Sequence, residues 1–418
     1  MRVLWVKASK LLPVDTGGKI RSFNILRRLA ESHELTLISY YGGPRDLDYE
    51  AALPRQFPRS HVVYTAVPDS EGFRGILDYA WRVPRLTPYS ISKYTHPAVS
   101  NLIASELSSG RFDVAICDFL HPTLNFPKKP PIPCVLFQHN VESALWHRMA
   151  TTESNPLRKL SYTLESARMS RYERQTLARF RHIIAVSEND RQQMLDMLKA
   201  TGETCEITVV PTGVDTKQFQ VAAPSSATPP RIVFTGSMDW EPNIDAVEYF
   251  CGQIWPRILA EFPDAIFQIV GRSPFAKVLR LASKSVQVTG TVPSVTDYLR
   301  DATVVIVPLR IGGGTRLKIY EAMAMGKALV STSIGAEGLS FQNGRDLMLA
   351  DDASSFADAI LLLLRDAQLR RRFEQAAVVQ AAQFDWSVVA QQFADVLQKV
   401  APPTSIRPMT NSSVSVSR

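Results

Sequence analysis

The sequence predicts an α/β chain of two domains, and three observations carry that reading. At 418 residues the chain is longer than one hydrophobic core ordinarily organises. Short β-branched apolar runs (RVLWV at 2–6, RIVFT at 231–235, TVVIV at 303–307) alternate with stretches of helical periodicity, the pattern of buried parallel strands joined by helices. A glycine-rich turn stands between one such strand and its helix, at Gly312, Gly313 and Gly314. Hydrophobic residues make up 45% of the chain and charged residues 21%, which allows a large core.

The first domain is expected over residues 1–210. Its opening strand, 2–6, runs through the loop KASKLLPVDTGGK into a helix whose Ile25, Leu26 and Leu29 keep helical spacing, and Leu35 to Tyr40 is the next strand. Gly17 and Gly18 close that loop, but the spacing is not G-x-G-x-x-G, so no dinucleotide fingerprint is read. Residues 72–96 interleave Tyr79, Trp81, Tyr89 and Tyr94 with Arg74, Arg82, Arg85 and Lys93. That mixture suits a glycan or anionic lipid interface, and equally a plain surface. Phe112–Cys117 and Cys134–Gln138 read as strands, which puts His139 at the carboxyl end of a parallel strand, where open α/β sheets hold ligands. Asn140 or Ser143 is expected to start the helix after it. In 156–181, seven Arg and Lys face only Glu165 and Glu173, as in a basic membrane-facing helix or a solvated helix face. His182 opens a strand, Ser187 is placed to cap the next helix, and His33, His61, His96, His121 and His147 read as surface or packing residues.

A Pro- and Ser-rich stretch inside 211–230 reads as a linker, and the second domain is expected over 231–384. Its last strand–turn–helix–strand unit, 303–333, carries the chemistry. Glycines allow a ligand close to the backbone. The helix N-terminus after them, with Thr315 as its cap, offers free N–H groups and the positive dipole end. Arg316 and Lys318 add formal charge, and Glu321, on the same face as Lys318, can accept two hydrogen bonds from a vicinal diol such as a ribose. Gly326 fits the helix end. Asp351 and Asp352 begin another helix, and with no D-x-D or other ligand cluster no metal is expected. Helices close the chain to about 400, and the Ser/Thr-rich segment 401–418 reads as disordered.

The segment PLRIGGGTRLKIYEAMAMGKALVSTSIGAEGL resembles the nucleotide-sugar motif of glycosyltransferase family 4. The resemblance implies two Rossmann-like domains facing a cleft (the GT-B fold), with the helix at 385–400 packing back on the first domain. It also implies sugar transfer from a nucleotide diphosphate to an acceptor hydroxyl, with retention, in polysaccharide or glycolipid synthesis. The family's Glu–seven residues–Glu pattern has its second member in Glu321 and Gly313 in place of the first, a departure shared by a sub-group with GGGTRLK-type loops. Pro13, Gly17, Gly18 and Arg21 match its cleft loop, and His139 stands where the family often has a histidine near the donor sugar. Gly236, Ser237 and Asn243 lie in the turn that usually carries an Arg/Lys pair for the diphosphate, and Thr291 and Val292 would flank the base. Because that turn holds neither Arg nor Lys, the charge role moves to Arg316 and Lys318. The resemblance therefore makes His139, Arg316 and Lys318 the catalytic candidates. The remaining donor-binding set is Gly17, Gly18, Gly236, Ser237, Asn243, Thr291, Val292, Gly312, Gly313, Gly314, Thr315 and Glu321.

The net charge of +7 and pI near 9.2 favour anionic ligands or an anionic membrane surface; no nucleic-acid signature accompanies them. Cys117, Cys134, Cys205 and Cys251 form no C-x-x-C pair and read as free thiols of a reducing compartment. No apolar run is long enough for a signal peptide or a membrane span. The expectation is a cytoplasmic protein, peripheral on the inner face of the cell membrane. Its partners would be a nucleotide diphosphate sugar, used as substrate with no separate cofactor, and a glycan or lipid-linked acceptor. A nucleotide-sugar epimerase on the same fold and a non-catalytic glycan- or membrane-binding protein are the two alternatives.

Overall fold

The computed structural model describes residues 1–65, 78, 87–153, 155–199, 202, 204–221, 229–311 and 316–401. Most of the aromatic and basic segment 72–96, most of the Pro- and Ser-rich linker stretch, the loop Gly312, Gly313, Gly314 and Thr315, and the tail from 402 lie outside the described residues.

The apolar runs form two parallel sheets. Strands β1 (Arg2–Ala8), β2 (Glu34–Tyr41), β3 (Ser60–Tyr64), β4 (Val114–Asp118), β5 (Cys134–Phe137), β6 (His182–Ala185) and β7 (Glu206–Val209) stand in the order β3-β2-β1-β4-β5-β6-β7. Strands β8 (Arg231–Thr235), β9 (Ile266–Val270), β10 (Val286–Gly290), β11 (Val304–Val307), β12 (Leu329–Ser331) and β13 (Met348–Leu349) follow as β10-β9-β8-β11-β12-β13. Each order reverses once, between β1 and β4 and between β8 and β11. Such switch points open a crevice at the carboxyl ends of the strands. The fold is thus α/β with two Rossmann-like halves.

The chain passes between the halves twice, side by side. Val214 and Asp385 form an isolated bridge, and the Asp385 carboxylate accepts from the amide and hydroxyl of Thr216. Gly213 lies so close beneath Trp386 that an added Cβ would sit 2.6 Å from the indole. The Trp386–Val400 helix then covers the first sheet, with Phe393 stacked on Trp5 at 5.5 Å.

Two local expectations need correction. Gly17 and Gly18 are the first two residues of the Gly17–Ser32 helix and do not belong to the loop before it. The helix after β5 starts at Glu142 with no side-chain cap from Asn140 or Ser143. Its free amides at Glu142 and Ser143 donate to the carboxylate of Glu173, a fully buried residue of the Pro156–Arg179 helix, at 3.0 and 2.9 Å. A distant carboxylate can cap a helix as well as a local one, and no sequence spacing signals it.

Candidate active site

At the first switch point, register builds a charged cluster. Lys7 of β1 is the cross-strand partner of Asp118 of β4, so both side chains leave the same face, and their ion pair spans 3.1 Å. Trp5 Nε1, two residues back on that face, donates to the same carboxylate at 2.9 Å, and Ser22 Oγ of the covering helix donates at 2.8 Å. The fourth partner is His139, whose Nε2 lies 2.6 Å from Asp118 Oδ1. Burial alone would raise the Asp118 carboxyl; the Lys7 ammonium and the donors from His139, Trp5 and Ser22 outweigh it and hold the group well below its ordinary range.

His139 is held from both sides. Asp118 only accepts, so Nε2 carries the proton; Nδ1 then accepts, facing Arg21 Nη1 at 3.5 Å. Burial pushes the imidazole down to about 4, so it is neutral at pH 7. The His139 carbonyl accepts from Arg21 Nη1 at 3.3 Å. Arg21, also buried, bonds Thr212 of the crossover through Nε at 2.8 Å and through Nη2. Two Rossmann switch-point residues, Ser9 (φ 87°) and Phe119 (φ 79°), hold left-handed backbone conformations. Both line a cavity of ≈ 290 Å³ together with Lys7, Gly17, Gly18, Asp118, His121 and His139. His121, read from sequence as surface or packing, is therefore a wall of the cleft; burial pushes it down to about 3.

At the second switch point the turn after β8 is crowded by cations. Lys318 Nζ donates to Asn243 Oδ1 at 3.0 Å, lies 4.2 Å from the centre of the Phe234 ring, and approaches Gly236 so closely that a Cβ there would stand 3.0 Å from it. On the next residue, Arg272 Nε donates to Ser237 Oγ at 3.0 Å, and its guanidinium reaches Asp15 of the first half at 3.8 Å. The turn without its own Arg or Lys thus receives one from a later helix and one from the end of β9. Arg272 was missed because 35 residues separate it from Ser237; only the β8–β9 pairing brings them together.

The helix of the central motif runs Leu317–Ala324 with Arg316 at its N-cap position, and the Arg316 side chain does not cap it; the expected cap, Thr315, lies outside the described residues. Its end is a Schellman turn: Gly326 (φ 66°) donates to Met323 and Lys327 to Ala322, at 2.9 and 3.0 Å. Burial pushes Lys318 down to about 7 and Glu321 up to about 7, each opposed by the other's charge. No described residue hydrogen-bonds the Glu321 carboxylate, which faces a cavity of ≈ 320 Å³ shared with Ile20, Phe23, Asn24, Asp215 and Trp386.

Arg316 does not join Lys318. It turns the other way, donating to the Ile334 carbonyl at 3.0 Å and pairing with Glu337 at 3.9 Å. Glu337 also pairs with Arg148 (3.1 Å) and accepts from Asn189 (3.4 Å), so it ties the motif to the first half across a third, open pocket that Arg21, His139, Ser187 and Thr212 also line. Thr291 and Val292 follow the edge strand β10, exposed and half-buried respectively. Among the described residues, no group of three or more His, Cys, Asp or Glu stands together as a metal site.

Two parallel sheets with facing switch points and a charged cleft between them are the architecture of the GT-B fold. The comparisons agree: the Glycosyltransferase Family 4 model matches residues 16–218 and the Glycosyl transferases group 1 model matches residues 229–366. The chain carries both domains and is a glycosyltransferase. It is 26% identical over 315 residues to a phosphatidyl-myo-inositol mannosyltransferase of Mycolicibacterium smegmatis (73% of this chain, 76% of that one). It is 27% identical over 322 residues to the enzyme of that name from Mycobacterium leprae (73% and 78%). Among solved structures, Anabaena Alr3699/HepE in complex with UDP superimposes with a TM-score of 0.65 at 15% identity, covering 96% of this chain and 100% of that one.

Proposed function

We propose that the enzyme moves a sugar from a nucleotide diphosphate to a lipid-linked acceptor with retention at the anomeric carbon, working from the cytoplasmic face of a membrane. One observation carries the donor reading: Lys318 and Arg272 reach consecutive residues of the Gly236–Ser237 turn from two different elements. Two cations converging on a glycine turn at a switch point suit a diphosphate, and they would stabilise the charge that develops as it leaves. The relatives named above, which act on a phosphatidylinositol lipid by name, support the lipid acceptor. The UDP in the Anabaena structure supports the nucleotide donor. Retention fits a front-face route in which the leaving phosphate takes the acceptor proton. His139 is unsuited to that task, because both its ring nitrogens are engaged and burial, which pushes it down to about 4, leaves it too weak a base to hold the proton. It acts as a fixed wall that orients the sugar, beside the free amides of the Gly17–Ser32 helix.

Thermal-shift screening of nucleotide diphosphates, followed by mass analysis of products from lipid and glycan acceptors, tests the reading. Stabilisation by none of the diphosphates would reject it. Because the diphosphate meets side-chain cations, turnover is expected to persist in EDTA; an absolute requirement for a divalent ion would reject this charge assignment.

Glu321 is proposed to hold the ribose diol. Glu321→Gln should raise the donor KM by about 5- to 150-fold, or about 1–3 kcal/mol, with kcat less affected. Deoxyribose donors should lose little more in the mutant than Gln alone costs. Equal losses in parent and mutant on removing the hydroxyls would show that Glu321 is not their partner. A fall in kcat alone would make it a proton acceptor instead.

A further inference from the structure

The Pro156–Arg179 helix carries an exposed face that the transfer reaction does not use. Leu157, Leu160 and Leu164 follow one another at helical spacing on one side, and are 79%, 60% and 47% exposed. Three large apolar side chains in a row on a surface helix are unusual for a face that meets only water. The flanking residues Arg158 and Lys159 are exposed, and the same stripe continues to the exposed Arg171.

The carboxylates of this helix point the other way. Glu165 is 3% exposed; it accepts from the Tyr89 amide at 2.9 Å and from Arg168 at 2.8 Å. Glu173 is fully buried and caps the neighbouring helix. The nearest acidic residue before the helix, Glu153, accepts from the Asn155 amide at 2.8 Å. Every exposed charge on the helix is therefore positive, with leucines at its N-terminal end. The sequence alone, with its two glutamates, does not separate this arrangement from an ordinary solvated face.

We propose that this face seats the enzyme on an anionic lipid bilayer, the three leucines entering the headgroup boundary while Arg158, Lys159 and Arg171 meet lipid phosphates. Charge complementarity selects the partner: an acidic bilayer matches an apolar stripe that ends in Arg171 and is flanked on either side by Arg158 and Lys159, with no exposed acid on the helix. The helix also places the membrane near the chemistry. Its other side packs on the Glu142–Thr152 helix, with Trp146 edge-on to Tyr162 at 6.0 Å, and Ala144, Leu145 and Arg148 of that helix line the cleft. A lipid-linked acceptor would then have one helix width to cross. The inference deepens the lipid-acceptor reading, yet its test needs neither donor nor acceptor.

The full-length protein is sedimented with phosphatidylglycerol vesicles, and with phosphatidylcholine vesicles as the neutral control. Binding is expected to the first only, and to weaken with salt. Arg158→Ala with Lys159→Ala should weaken partitioning about 30-fold, each cation near the surface contributing about fivefold. Leu157→Gln, Leu160→Gln and Leu164→Gln together should weaken it at least about tenfold while leaving the charges in place. All five positions are exposed, so the melting temperature should not move. Three results would overturn the proposal: no binding to acidic vesicles at low salt, equal binding to neutral vesicles, or binding unchanged in both variants. A dimer in sedimentation velocity that the leucine variant dissociates, without vesicle binding, would also overturn it and make the stripe an interface between copies.

Discussion

Replacing Lys318 by Ala should lower kcat/KM for the sugar donor by about 10²- to 10³-fold, the range for removing one pre-organised group that stabilises charge in a transition state. Lys318 is fixed before the donor arrives. Asn243 holds its ammonium at 3.0 Å, and Phe234 lies beneath it at 4.2 Å. Little reorganisation is then needed as negative charge grows on the leaving diphosphate. kcat should fall more than donor affinity, because the interaction strengthens as the bond breaks. The pH profile gives an independent readout. With its ammonium pushed down to about 7, the free enzyme loses this charge as pH rises through 7. The kcat/KM of the parent should therefore decline on the alkaline side, a limb that reports the free enzyme. Lys318→Arg, whose guanidinium stays charged, should move that limb upward even if its activity is lower. Arg272→Ala should cost less, because Arg272 is half exposed and shares its charge with Asp15. A Lys318→Ala enzyme within about threefold of the parent would place the diphosphate elsewhere.

Asp118→Ala should destabilise the protein by about 3–5 kcal/mol, since it strands a buried cation, and lower its Tm by roughly 10 °C. Lys7 is 7% exposed at its side chain, and its other partner is the Ser22 hydroxyl at 3.1 Å. Trp5 Nε1 and His139 Nε2 would lose their acceptor in the same step. Lys7→Met combined with Asp118→Asn removes both charges and should recover part of the loss, as measured by chemical denaturation. The acid response has a definite sign. Asp118 has a depressed folded value, so its contribution is present above about pH 3.9 and is lost as pH falls below it. His139 is depressed too. Between about pH 6.5 and 4 the unfolded chain takes up a proton that the folded ring refuses, so stability falls with pH across that window. Asp118→Ala should remove the loss below pH 4. If the Tm of Asp118→Ala stayed within 2 °C of the parent, Lys7 would have to reach solvent or another partner, and the cluster would not be what fixes His139.

Much of this enzyme was legible in the residues, for reasons that are local. A run such as Val304–Val307 suits a strand buried on both faces, and its alternation with helical stretches makes the sheet parallel, so two α/β halves follow from the order of runs and helices. His139 could be placed because strand ends are readable, and Glu321 and Lys318 because a helix puts residues three apart on one face. Gly326 could be read as a helix end because few residues other than glycine take a positive φ there.

What only the tertiary structure decided were contacts between elements far apart in the chain. Asp118 stood just past the expected strand Phe112–Cys117 with nothing to mark it, until pairing with β1 set it opposite Lys7 and β5 brought His139 to its other oxygen. Arg316 and Lys318 look equivalent in GGGTRLK, yet two residues on a helix are about 200° apart. One therefore joins Glu337 at the junction of the halves, and the other faces the Gly236 turn. Glu173 could not be recognised as a cap, nor Glu165 as inward-facing, because a helical pattern with seven basic residues does not say which side meets the protein. Local periodicity is a property of the backbone and shows in the sequence. Which charge meets which is set by packing, across separations of tens to more than a hundred residues.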